Sequence, residues 1–149
     1  MRLAVALREA HDAEAALAAE LRRAAERHRD EHDVHHISRT LAGWSDRHVR
    51  RLAAAAERYG VALDATIADR DDQGGGDAEP AVRLLYDLRD LHLAGARASL
   101  AWTVLGQGAQ ALRDREMLDL VTDCHPETIR TLKWTVQQLK EASPQILAG

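Results

Sequence analysis

Apolar residues in this chain recur at alternating spacings of four and three, and they do so in four separate stretches. The first stripe is Leu3, Leu7, Ala10, Glu14, Leu17, Leu21, Ala24 and His28. The second is Ile37, Leu41, Trp44, His48, Leu52, Ala55 and Tyr59. The third is Leu84, Leu88, Leu91, Gly95, Ala98, Trp102, Leu105, Ala109 and Leu112, and the fourth is Leu118, Val121, His125, Thr128, Leu132, Thr135 and Leu139. This spacing gathers the residues on one face of an α-helix, and such a face must be buried against another element. The pattern predicts helices over about 2–30, 34–59, 80–113 and 115–142.

The punctuation between the stripes sets the layout. Asp30-Glu31-His32-Asp33 is long enough only for a tight reversal, with Asp33 the expected N-cap of the second helix, and Gly60 is placed to stop that helix. Arg113-Asp114-Arg115 is a second tight reversal, Pro126 predicts a kink or break in the fourth helix, and Ser143-Pro144 is its expected end. Residues 61–79 contain Asp-Asp-Gln-Gly-Gly-Gly-Asp, which reads as an unpacked linker. At about 3.3 Å per extended residue it can cross the length of a bundle. Alanine is the commonest residue, Phe is absent and β-branched residues are few, so helix formers dominate. The expected fold is all-α: one domain over 1–149, an antiparallel four-helix bundle made of two helical hairpins joined by a long acidic, Gly-rich linker.

Charge and cysteine content narrow the function classes. Residues 61–80 hold Asp64, Asp69, Asp71, Asp72, Asp77 and Glu79 against Arg70 alone, a net of −5 within a chain of −4, which leaves +1 elsewhere. That balance offers no surplus for a basic face, so no nucleic-acid partner is expected. Cys124 is the one cysteine, which excludes an internal disulfide framework and a cysteine zinc cage. No apolar run approaches a membrane span, and the N-terminal stretch meets charge before a secretory-type apolar region forms. The expected location is the cytoplasm, with no membrane partner. Heavy Ala and Arg usage with only two lysines, Lys133 and Lys140, leans towards a bacterial source.

Two stripe positions break the apolar pattern. Glu14 and His48 fall in the buried register, where a charge is costly unless paired or bound to a metal. Each lies 17 residues from a reversal centred on Glu31, so in an antiparallel hairpin they should face each other. The second hairpin echoes the first: Leu41, Asp46, His48 and Leu52 align with Leu118, Asp123, His125 and Ile129 at an offset of 77. On that offset Glu14 maps to Leu91, between Asp90 and His92. Acidic and imidazole groups from several helices at one level are the usual plan of a buried metal site in a bundle.

On these residues the chain resembles a small bacterial branch of the ferritin-like superfamily. The resemblance implies a crossover connection between the hairpins and a mid-bundle metal site. Di-iron members supply a lone Glu from two helices and a Glu-x-x-His from the other two. Glu14 matches one lone Glu, His48 and His125 match the histidines, and Asp90 or His92 stands near the other lone position. Ser45 and Thr122 occupy the places of the two bridging carboxylates, so the motif is incomplete. The implied role is metal handling or redox stress, with iron, manganese or zinc at Glu14, His48, His125, His92 and Asp90. The alternative is a non-catalytic helical interaction module forming a homo-oligomer, with Glu14–His48 a structural buried pair. Its contact surface would be an Ala-rich outer face around Ala13, Ala15, Ala16, Ala18 and Ala19.

Other features read more plainly. His28, His32, His35 and His36 have metal-like spacing, but the chain reversal is expected to break it and leave a solvated polar turn. Cys124 beside His125 is expected to be inert, because adjacent helical residues point about 100° apart. Ser45 lies three residues before His48 with no oxyanion-hole loop, and Trp44, Trp102 and Trp134 read as core fillers. Gly95, Ala98 and Ser99 either let a neighbouring helix approach or leave a cavity for a small molecule.

Overall fold

The computed structural model describes residues 2–65 and 79–149, which form four helices: α1 (Leu3–Arg27), α2 (His32–Glu57), α3 (Pro80–Ala111) and α4 (Arg115–Ala148). Among the described residues there is no strand, and no helix is long and apolar enough to cross a membrane. The acidic, Gly-rich stretch expected as a linker falls mostly on residues 66–78, outside the described residues.

The reversal between α1 and α2 comes two residues earlier than expected. It occupies residues 28–31, and Glu31, rather than Asp33, is the cap residue of α2. No side chain caps that end; instead the His35 N–H already donates to the Glu31 carbonyl at 2.8 Å. Gly60 stops α2 as the sequence implied, with φ +68, and the Val61 N–H reaches back to the Ala56 carbonyl. The following residues do not behave as linker: Val61 is buried with Leu3, Leu7 and Leu52, and Leu63 packs on the same cluster. At the second reversal Arg113 takes the left-handed conformation, φ 54, and the Asp114 carboxylate accepts from the Met117 N–H at 3.1 Å.

α4 runs unbroken through Pro126 and Pro144, correcting both the expected break and the expected end. Each proline orphans the carbonyl four residues before it. Those carbonyls belong to Thr122 and Lys140, both at exposed positions where water can serve them. The extra turn beyond Pro144 brings Ile146 against the core.

α1 packs along both α2 and α3, and α3 packs along α4, while α2 and α4 approach more loosely. Cross-helix contacts mark the levels. Arg27 bonds Asp87, Arg97 pairs with Glu9, and Gly108 lies against Leu3; on the other side Arg47 bonds Glu127 and Arg51 bonds Asp123. The first and third stripes are buried as read, except Leu112 at the helix end. The Ala-rich run of α1 is not an outer face: Ala13, Ala16, Ala18 and Ala19 are all buried. α1 has helices on two sides, and small side chains let both come close.

α4 is turned relative to the expected stripe. Its buried line is Met117, Leu120, Cys124, Thr128, Thr131 and Thr135, while Leu118, Val121, His125 and Leu132 are half-buried beside α3. Glycines on α3 make room for them. A Cβ at Gly95 would sit 3.2 Å from Leu132, and one at Gly106 would sit 3.2 Å from Val121. Gly95 therefore marks a close approach of α3 and α4, not a cavity.

Candidate functional site

Two apolar clusters fill the bundle. One gathers Leu3, Leu7, Leu52, Trp102, Leu105, Met117 and Leu120; the other gathers Leu17, Leu21, Val34, Leu41, Leu84, Leu88 and Leu91. Between them lies a polar layer. Glu14 is fully buried at 0% exposure and His48 is at 1%. The His48 Nδ1–H donates to Glu14 Oε2 at 3.0 Å. Glu14 Oε1 accepts from the Trp102 indole N–H at 3.0 Å and the Thr128 hydroxyl at 2.6 Å. His48 Nε2–H donates to Glu127 Oε1 at 2.9 Å, and Arg47 Nη2 donates to both Glu127 oxygens at 2.9 and 2.7 Å. All four helices contribute, and charges alternate from core to surface: Glu14, His48, Glu127, Arg47.

Pairing decides the ionisation of this chain. Burial by itself would raise the pKa of Glu14, but the hydrogen bond and charge of His48, with Thr128 and Trp102, outweigh it and hold the carboxyl below its ordinary value. Burial would lower the pKa of His48; Glu14 first and Glu127 second reverse that and raise it. Glu127 is lowered in the same way, against burial, by His48 and then Arg47. His48 has a carboxylate on each nitrogen, so it serves as a doubly donating imidazolium between two carboxylates.

The residues expected to share a metal site are placed apart. Glu14 and His48 meet. His125 does not join them: α4 is turned, and His125 Nε2 shares a 2.8 Å hydrogen bond with Ser99 Oγ. Burial lowers the His125 pKa, with Glu14 opposing, so its ring is neutral. His92 Nδ1–H donates to Thr135 Oγ1 at 2.9 Å, since the hydroxyl proton of Thr135 goes to the Leu132 carbonyl. Thr135 is seven residues beyond Thr128, about 10 Å of helix rise away from the Glu14 level. Asp90 pairs with its neighbour Arg89 at 3.0 Å. Among the described residues, no group of three or more His, Cys, Asp or Glu is placed to hold a metal ion. The chemistry of the donors agrees. A doubly protonated His48 has no lone pair to give, and both Glu14 oxygens already accept from protein donors. Ser45 is buried and Thr122 exposed, and hydroxyls replace no bridging carboxylate for iron. These residues do not fit a di-iron centre.

Three members of the layer were not read as such from the sequence. Thr128 was visible as a polar residue in an apolar stripe, the same anomaly that flagged Glu14. Trp102 fits the stripe as a core filler, but its indole N–H needs a partner once buried. Glu127 had no signal, because it lies on the turned shoulder of α4. Cys124 is buried and its thiol is pushed up to about 12, chiefly by burial, so it is inert as expected.

The fold and site define a helical bundle with a saturated, charge-alternating polar layer. Compared with family models, curated proteins and solved structures, the chain shows no match to any of the three.

Proposed function

We propose that this protein is a non-catalytic helical module with ferritin-like connectivity that works by associating with a second copy of itself, and that its polar layer is a structural clamp. Cross-helix contacts support the connectivity. The end of α1 meets the start of α3 through Arg27 and Asp87, and Val34 at the start of α2 shares a core cluster with Leu84 at the start of α3. Helices α2 and α3 then run the same way, the relation that ferritin-like connectivity requires. The short reversals support an antiparallel arrangement of α1 with α2 and of α3 with α4. The metal-handling reading, with iron, manganese or zinc at Glu14, His48, His125, His92 and Asp90, loses support because these groups are dispersed and their polar atoms are engaged.

The observation that carries self-association is the outer face of α3. Leu93, Leu100 and Val104 are 60%, 68% and 61% exposed, and Tyr86 lies on the same line. Tyr86, Leu93 and Leu100 recur every seven residues, the repeat of a helix-pairing seam. From Tyr86 to Val104 the seam extends about 27 Å. Monomeric proteins seldom expose such a row. A seam of one repeat is complementary to a second copy of itself about a two-fold axis.

Sedimentation analysis of the full chain tests this reading. The parent should sediment as a dimer at micromolar concentration, and a Leu93→Glu, Leu100→Glu variant with an unchanged helical circular dichroism spectrum should be monomeric. A parent that stays monomeric at about 100 µM, or a variant that dimerises as well as the parent, would overturn the proposal.

A further inference from the structure

We propose that the first turn of α2 carries a surface binding site for a divalent transition-metal ion, Cu2+ above all, held by the imidazoles of His32 and His36. The chain reversal ends before His32, so the spacing that a later reversal would have broken is intact. His32 and His36 stand one turn apart on a continuous helix, and their ring centroids are 4.5 Å apart. Histidines at i and i+4 on one helical face are a natural chelating pair. Both residues are exposed.

Comparison with the other histidines singles out this pair. The chain has eight. His11 is bonded to the Asp64 carbonyl, His28 to Asp87, His35 to the Ala25 carbonyl, His48 to Glu14 and Glu127, His92 to Thr135 and His125 to Ser99. Among the described residues, only His32 and His36 have both ring nitrogens free of hydrogen bonds to the protein. Their polar capacity faces water, where a ring can turn its lone pair towards an ion at little cost. The ring of His35 lies 5.0 Å from that of His36, but its Nδ1–H is tied to α1. The site is therefore a two-imidazole chelate completed by water.

The position has one electrostatic drawback and one compensation. A cation at a helix N-terminus meets the positive end of the macrodipole, which weakens affinity roughly two- to fivefold. Asp30, Glu31 and Asp33 flank the pair, and Glu141 of α4 lines the same cleft as His32. Their negative charge acts in the opposite sense. Among divalent ions, nitrogen donors favour Cu2+ over Ni2+ and Zn2+.

The test is a titration of the full-length protein with Cu2+, supplied as its glycine complex at pH 7.5, read by visible absorbance and electron paramagnetic resonance. The parent should take up one equivalent at this site with two nitrogen ligands resolved. His32→Ala and His36→Ala should each bind at least tenfold more weakly, while His92→Ala stays within twofold of the parent. Added Cu2+ should also raise the thermal midpoint of the parent but not of either variant, because only the helical chain holds the two rings together. No uptake by the parent, or single variants of which one or both bind as tightly as the parent, would overturn the proposal. Both residues are exposed, so neither substitution threatens folding.

Discussion

Replacing Glu14 separates a structural clamp from a ligand. In Glu14→Ala the buried Trp102 indole N–H and the Thr128 hydroxyl lose their acceptor, and His48 loses its inner carboxylate. Thr128 can turn its hydroxyl towards a backbone carbonyl of its own helix, and His48 can release a proton, but the indole has no such escape. Removing one partner of a buried pair costs about 3–5 kcal/mol. In Glu14→Gln the amide oxygen still accepts from Trp102 and Thr128. Its NH2 faces His48 Nδ1, which accepts once the imidazole is neutral and keeps Nε2–H for Glu127. Only the charge assistance is lost, about 1–2 kcal/mol. A domain of this size is stable by about 5–15 kcal/mol, so the alanine change removes a large share of it. Urea unfolding at pH 7, followed by circular dichroism, should rank the chains parent, Gln, Ala with unchanged slope. A Gln variant as unstable as the Ala variant, or an Ala variant within 1 kcal/mol of the parent, would refute the donor accounting.

Other expectations follow from the same structure. The raised pKa of His48 makes its contribution full below its ordinary 6.5 and lost as pH climbs through the raised value; the lowered pKa values of Glu14 and Glu127 make theirs full above 4.5 and lost as pH falls through the lowered ones. The urea midpoint should therefore peak between pH 4.5 and 6.5 and fall on both sides, and a midpoint rising steadily to pH 9 would contradict the charged layer. Gly43 is exposed inside α2 and a Cβ there meets nothing within 4 Å, so Gly43→Ala should stabilise by about 0.5–1 kcal/mol. Gly95→Ala, whose Cβ would press on Leu132 at 3.2 Å, should forfeit that gain in the same thermal-unfolding series. Ser38 Oγ is buried with no hydrogen-bond partner, so Ser38→Ala should raise stability by about 1 kcal/mol; a loss would mean the hydroxyl is satisfied after all.

Periodicity carries four helices, the ends of all but α4 and the Glu14–His48 pairing, because helix geometry converts spacing directly into a face and a level. Leu84, Leu88, Leu91, Ala98, Trp102 and Leu105 are all buried as their spacing implied. Local chemistry likewise marks Gly60 as a stop and Arg113–Arg115 as a turn. Spacing does not carry the rotation of a helix about its axis. Spacing puts Leu118, Val121, Leu132 and Leu139 on one core face with Thr128 and Thr135, whereas Met117, Leu120, Cys124 and Thr131 join the two threonines in lining the core. The choice depends on α3, where Gly95 and Gly106 open space for the larger side chains. That rotation sends His125 to Ser99 and brings Glu127 to His48, so it decides the composition of the polar layer. A difference of two residues in where a reversal ends likewise decides whether His32 and His36 share a helix, since a chelating pair needs continuous backbone beneath it. Helix existence and level are properties of one segment and its hydrogen bonds; rotation, partner choice and the saturation of buried donors belong to packing between segments, which a linear pattern does not encode.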